Sequence, residues 1–105
     1  MKTMILAGCL ALAAATPALA GDAAAGKTKS TPCAACHGPD GNSVAPDFPR
    51  IAGQYDDYLL RALLDYKSGA RKNAIMVQQV EKLTRQDIED LAAYFSEQKG
   101  VVYKY

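Results

Sequence analysis

The five residues Cys33-Ala34-Ala35-Cys36-His37 constrain this chain more than any other feature of it. They place two thiols and an imidazole in one tight turn, and the rest of the sequence adds one cysteine, Cys9, and no histidine. Cys-x-x-Cys-His is the attachment signature of c-type haem. Thiols so spaced reach the two vinyl groups of a porphyrin while the adjacent imidazole is delivered to the iron, which gives two thioether bonds and one axial ligand. Three plainer readings compete. A thioredoxin-like redox pair needs a strand, turn and helix around the cysteines, and the flanks carry no strand pattern. A zinc site needs two more ligands, and the chain beyond its first twenty residues holds no other Cys or His. The third is chance occurrence.

Those first twenty residues read as an export leader. Lys2, the apolar run from Met4 to Ala15, and Thr16-Pro17 before Ala18-Leu19-Ala20 match the plan of basic region, apolar region and small-residue cleavage site, with cleavage expected after Ala20. The run is short for a membrane span and is broken by Pro17, so an uncleaved anchor is the weaker alternative. Leu6-Ala7-Gly8-Cys9 also spells a lipoprotein-like box, although few apolar residues precede it. Removing the leader from the 105 residues leaves 85, in which Cys33 and Cys36 are the sole cysteines, His37 the sole histidine and Met76 the sole methionine. An oxidising, exported compartment suits that inventory. So small a chain buries a marginal core, and a covalently held macrocycle with a bound metal would staple it. The chain without that group is expected to fold poorly.

Side-chain charge gives no reason to expect nucleic acid as a partner. Without Lys2 there are 11 Lys and Arg against 11 Asp and Glu, a balance of zero. Lys67, Arg71 and Lys72 form a local basic cluster that could steer a partner or be a solvated loop.

The pattern along residues 21–105 predicts helices alone. Asp22 caps a segment from Ala23 to about Ser30, in which Gly26 is either a weak spot or the point where a second helix approaches closely. Thr31 as N-cap and Pro32 at the first helical position restart the chain into the Cys-x-x-Cys-His turn. From Gly38 to Gly53 runs a long loop rich in Gly, Pro and Asn, of a length that usually wraps something functional. It is the nearest source of a carbonyl for the second ring N–H of His37. Gln54 to Lys67 is a helix, with Leu59, Leu60, Leu63 and Leu64 on one face, Tyr55, Tyr58 and Tyr66 beside it, and Gly69 as its stop. Asn73-Ala74-Ile75-Met76-Val77 leads into a short helical stretch ending near Leu83. Given a haem already holding His37, the Met76 thioether is the expected sixth ligand, with lysine ligation or an open site as the alternatives. Thr84-Arg85-Gln86-Asp87 is a capping box with a shortened acid, and after it Ile88, Leu91, Ala92 and Phe95 recur at helical spacing.

This order resembles the class I cytochromes c over residues 22–99. Within that family it is similar to the short bacterial cytochromes of the five-fifty-three type and to each half of the dihaem cytochrome c-four type. The resemblance rests on Cys36-His37-Gly38-Pro39-Asp40-Gly41-Asn42-Ser43, on Phe48-Pro49-Arg50-Ile51-Ala52-Gly53-Gln54, and on Asp87 to Phe95. It implies an all-α fold of four to five helices wrapped around one covalent haem c, with Gly26 letting the first helix cross the last near Leu91 and Tyr94. It also implies that the Pro49 carbonyl accepts the second His37 N–H and that Met76 binds iron. Arg71 and Asn73 stand where relatives touch the haem surroundings, and Ser30 replaces an aromatic common at the crossing.

The expected function is single-electron transfer between periplasmic redox proteins, without catalytic residues and without stable membrane insertion once the leader is gone. Two alternatives remain open at this point. One is a haem subunit of a larger oxidoreductase, such as the partner of a flavoprotein in flavocytochrome c sulfide dehydrogenase. The other is a gas-binding sensor with an open sixth site.

Overall fold

The computed structural model describes residues 3–5, 8 and 21–100, so the expected leader and Cys9 lie almost wholly outside the described residues. Among the described residues there are five helices and no strand: α1 (Ala23–Lys29), α2 (Thr31–His37), α3 (Asp56–Ser68), α4 (Ala74–Val80) and α5 (Arg85–Ser96). None is long and apolar enough to cross a membrane.

α5 is the axis of the fold. Its capping box forms as expected: Thr84 Oγ1 accepts from the Asp87 N–H at 3.1 Å, and the Asp87 carboxylate accepts from the Thr84 N–H at 2.9 Å. Ile88 and every residue from Asp90 to Phe95 are buried, so this helix is enclosed on nearly all sides. α1 covers one side. There Gly26 packs against α5 so closely that a Cβ would overlap the Asp90 carbonyl and come within 2.8 Å of Tyr94 Cβ. α3 covers another side, with Leu59 joining Leu91, Ala92, Tyr94 and Phe95 in one apolar cluster. Fully burying a residue such as Leu91 or Phe95 is worth ~1.5–3 kcal/mol, and concentrating them on α5 makes it the core.

A polar latch reinforces the α1 crossing. Asp90 is 2% exposed, yet its carboxylate accepts from the Asp22 N–H at 2.8 Å, Gln86 Nε2 at 2.8 Å and Lys29 Nζ at 2.6 Å. Lys29 also reaches Asp87 at 2.9 Å. A charge buried with donors on both oxygens avoids the cost of an unpaired one. The Lys29 ammonium, with the Thr84 N–H second, holds Asp87 well below the usual carboxylate range, at about 2. The same ammonium, with the Asp22 N–H second, holds Asp90 down. Asp87 and Asp90 in turn raise Lys29.

Three boundaries differ from the sequence pattern. Ser30, not Thr31, is the cap residue of α2; its hydroxyl is turned back to donate to the Lys27 carbonyl at 2.7 Å, which leaves the α1–α2 junction almost continuously helical. Ser30 is buried there, and the close approach of α1 to α5 is made at Gly26. α3 starts at Asp56 because Gln54 and Tyr55 finish the preceding loop, and it ends at Gly69, whose left-handed φ of +85° suits glycine. α4 begins early enough to contain Met76, because the Asn73 side chain caps it by accepting from the Ile75 and Met76 N–H groups at 3.1 and 3.0 Å.

Candidate functional site

A cavity of about 320 Å³ opens between α2, the 47–54 stretch of the long loop, α3, α4 and α5. That volume is at the lower end of the ~300–1,000 Å³ of ligand sites, and this cavity is open on one side. Its floor is apolar: Leu59 and Leu63 of α3, Val80 of α4, Leu83, and Leu91 and Phe95 of α5. All five residues expected to hold a haem line it, namely Cys33, Cys36, His37, Pro49 and Met76.

His37 is the last residue of α2 and is 8% exposed. Its Nδ1 lies 2.8 Å from the Pro49 carbonyl oxygen. A carbonyl can only accept, so Nδ1 donates, which leaves Nε2 as the nitrogen through which this ring would bind a metal. Nε2 has no hydrogen-bond partner among the described residues. A buried imidazole fixed through one nitrogen, with the other a free Lewis base at a cavity wall, is the arrangement a metal-ligating histidine requires.

The loop that carries Pro49 is held by its own backbone and by α5. The Gly41 carbonyl accepts from the Ile51 and Ala52 N–H groups at 2.9 and 3.1 Å, and the Gly53 N–H donates to the Phe95 carbonyl at 2.9 Å. Arg50 Nε donates to the Ser43 carbonyl at 3.2 Å, and Asn42 Nδ2 to the Lys99 carbonyl at 2.7 Å. The long loop is therefore structured by cross-links, which explains how a segment without periodicity holds an acceptor in place.

Cys33 and Cys36 are one helical turn apart on α2 and both are free, half-buried thiols. Burial pushes the Cys33 thiol up, and the neighbouring Cys36 adds to the effect. They sit on the same helix as His37, so one rigid element presents both thiols and the imidazole. On α4, Met76 is half-buried and shares its cavity-facing side with Gln79, Val80 and, just beyond the helix, Leu83, the i, i+3, i+4 and i+7 spacing of one helical face.

The rim is mixed. Tyr58 and Tyr66 of α3 line the cavity, whereas Tyr55 does not. Arg71 also lines it, with its guanidinium 4.8 Å from the centre of the Tyr66 ring, a cation–π stack that holds the arginine over the opening. Of the local basic cluster, Lys67 is turned away to donate to the Glu81 carbonyl at 3.0 Å. Arg50, Gln54 and Gln79 line the cavity as well, and sequence reasoning alone did not single them out. Gln79 was findable as the residue three after Met76 on one helix; Arg50 and Gln54 come from the loop, where no period marks which side chains turn inward.

These residues fit a c-type haem: two thiols on one helical turn, an imidazole with a free lone pair, a thioether on a separate element and an apolar slot between them. A cytochrome c family model matches residues 23–99. Cytochrome c4 of Stutzerimonas stutzeri is 51% identical over 92 residues, covering 79% of this chain and 44% of the relative. Cytochrome c-554(548) of Halomonas halodenitrificans is 45% identical over 83 residues, covering 76% of this chain and 100% of the relative. The crystal structure of reduced recombinant cytochrome c4 from Pseudomonas stutzeri aligns with a TM-score of 0.75 at 51% identity, over 79% of this chain and 48% of that one. The chain thus spans less than half the length of the cytochrome c4 relatives it matches.

Proposed function

The chain belongs to the cytochrome c family, and on that premise we propose that it is an exported, monohaem electron carrier with His37 and Met76 as axial ligands and Cys33 and Cys36 as the points of attachment. The observation that carries the proposal is the convergence of those four side chains on one apolar cavity. One Cys-x-x-Cys-His motif in the sequence supports a single haem, and the leader pattern of residues 1–20 supports release into the periplasm.

When bound, haem c supplies a ferrous/ferric couple that exchanges one electron without breaking bonds. The chain's own residues do the rest. Pro49 fixes the His37 ring and raises its basicity by accepting the Nδ1 proton. The Asn73 cap holds the backbone of Met76, whose thioether favours the ferrous state and so a higher potential than a second imidazole would give. Leu59, Leu91 and Phe95 keep water from the floor of the slot. Because the Pro49 carbonyl holds the His37 ring and the Asn73 cap holds the backbone of Met76, oxidation and reduction would demand little rearrangement.

Optical spectra of the haem-loaded protein test this directly. The ferric form is expected to show the methionine–iron charge-transfer band, and Met76→Ala to lose it and to bind carbon monoxide when reduced. A wild-type protein that lacks the band and binds carbon monoxide readily would instead be a ligand-binding haem protein. Purification as a stable heterodimer with a flavoprotein would replace the free carrier with an enzyme subunit.

A further inference from the structure

We propose that Tyr94 is a positioning residue for the axial histidine, acting through the turn that adjoins it at Gly38 and Pro39; the proposal rests on the reading of His37 as an iron ligand. Tyr94 is buried in the last turn of α5, at the point where Gly26 brings α1 against it, and its ring lies 5.0 Å from that of Phe95, which lines the cavity. Its hydroxyl leaves this apolar setting to donate to the Pro39 carbonyl at 2.8 Å, across 55 residues of sequence.

Pro39 is two residues after His37, and the backbone around it forms a closed circuit. The Gly38 carbonyl accepts from the Gly41 N–H at 3.1 Å, the Gly41 carbonyl accepts from Ile51 and Ala52, and Pro49, two residues before Ile51, returns its carbonyl to His37 Nδ1. The donor and the acceptor of the histidine's second hydrogen bond are thus the two ends of one loop, joined across its neck by Gly41. Two other ties link this loop to the C-terminal part of the chain, Gly53 to Phe95 and Asn42 to Lys99, and both lie farther along it from His37. Tyr94 is the tie nearest the donor end. By fixing Pro39 on α5 it sets how well the Nδ1–H lines up with the Pro49 carbonyl, and that hydrogen bond sets the donor strength of Nε2.

The exposed side of Pro39 makes this separable from stability. Pro39 is at the surface, so water can satisfy its carbonyl when the tyrosine hydroxyl is removed, while the ring of Tyr94→Phe still fills the crossing. In the haem-loaded protein, Tyr94→Phe is expected to speed solvent exchange of the His37 Nδ1 proton, read by proton NMR of the reduced form, by about fivefold, the factor one hydrogen bond of ordinary net strength supplies. The reduction potential is expected to rise, because a weaker donor stabilises the ferric ion less, with the methionine–iron band unchanged. Asn42→Ala, which cuts a tie to the same loop farther from His37, is expected to leave both readings at the wild-type values. Exchange and potential unaltered in Tyr94→Phe, beside a lowered melting temperature, would make Tyr94 a packing residue and overturn the proposal. Equal effects from Asn42→Ala would overturn it too, by showing that any loosening of the loop suffices. A wild-type protein without a haem-shifted His37 ring resonance would remove the reading of His37 itself, a failure distinguishable from the other two.

Discussion

The α1–α5 crossing and the α3–α4 wall of the cavity are built on opposite terms. At the crossing, Gly26 admits backbone to backbone, α5 is buried from Asp90 to Phe95, and Asp90 has donors on both carboxylate oxygens. Across the cavity, α4 buries one residue, Val80, and leaves Ile75 53% and Val77 38% exposed, with Met76 half-buried at the cavity edge. The crossing is stabilised by contacts the chain makes with itself. The wall has its apolar face turned to a slot that a flat apolar group would fill. The crossing thus closes on the chain itself, while the wall is shaped for an occupant.

Substitutions can break this contrast. Gly26→Val is expected to have the largest effect, costing ~3 kcal/mol or more, because its side chain would meet the Asp90 carbonyl with nowhere to relax. Ile75→Ala on the wall is expected to cost ~1 kcal/mol at most. Thermal unfolding of the haem-loaded variants measures both, and comparable losses would erase the distinction between the two regions. Asp90→Ala comes between them, at ~2–3 kcal/mol, since it strands the Asp22 N–H and leaves Lys29 one partner fewer. A denaturant midpoint within error of the wild type would show the latch to be ornamental.

Lys29→Met is expected to lower stability at neutral pH, and its difference from the wild type to shrink in acid. Asp87 and Asp90 hold their protons more weakly in the fold than in the unfolded chain, where aspartate titrates near ~3.9. Their contribution is complete above that value and is lost as pH falls toward about 2, where Asp87 titrates in the fold. Without the Lys29 ammonium both carboxylates return toward the ordinary range, so acid unfolding monitored by circular dichroism moves to higher pH. A midpoint unmoved by the substitution would assign the low values to the backbone donors instead.

Local signals in the sequence carried far. The Thr84–Asp87 box, the Gly69 stop, the Asp22 cap and the leucine face of α3 all involve residues within a few positions of one another, and each forms as expected. Gly26 was legible as a choice between weak spot and close approach, and the structure decides for close approach. Asp90 looks like one more solvated acid in the sequence because the groups that bury it, Asp22 and Lys29, stand 68 and 61 residues away. Ser30 displaces Thr31 as the cap of α2 because α1 and α2 run almost into each other, its hydroxyl turned back to the Lys27 carbonyl. Met76 enters α4 through the Asn73 cap, a signal that the sequence carries but that the resemblance assigns to a contact with the haem surroundings.

What the sequence determined by itself was the chemistry on offer: two thiols and an imidazole at fixed spacing on one turn, one methionine beyond residue 20, and a series of helices with their caps. Covalent order and short-range hydrogen bonding decide such things, because their partners are near in the chain. What the tertiary structure decided was the state of each group. It placed the His37 proton on Nδ1 by setting the Pro49 carbonyl opposite it, turned Met76 toward the same cavity, and tied the intervening turn to Tyr94. Those outcomes depend on which distant backbone carbonyl comes within about 3 Å of a donor, a condition met only after α5 has been enclosed by the elements around it.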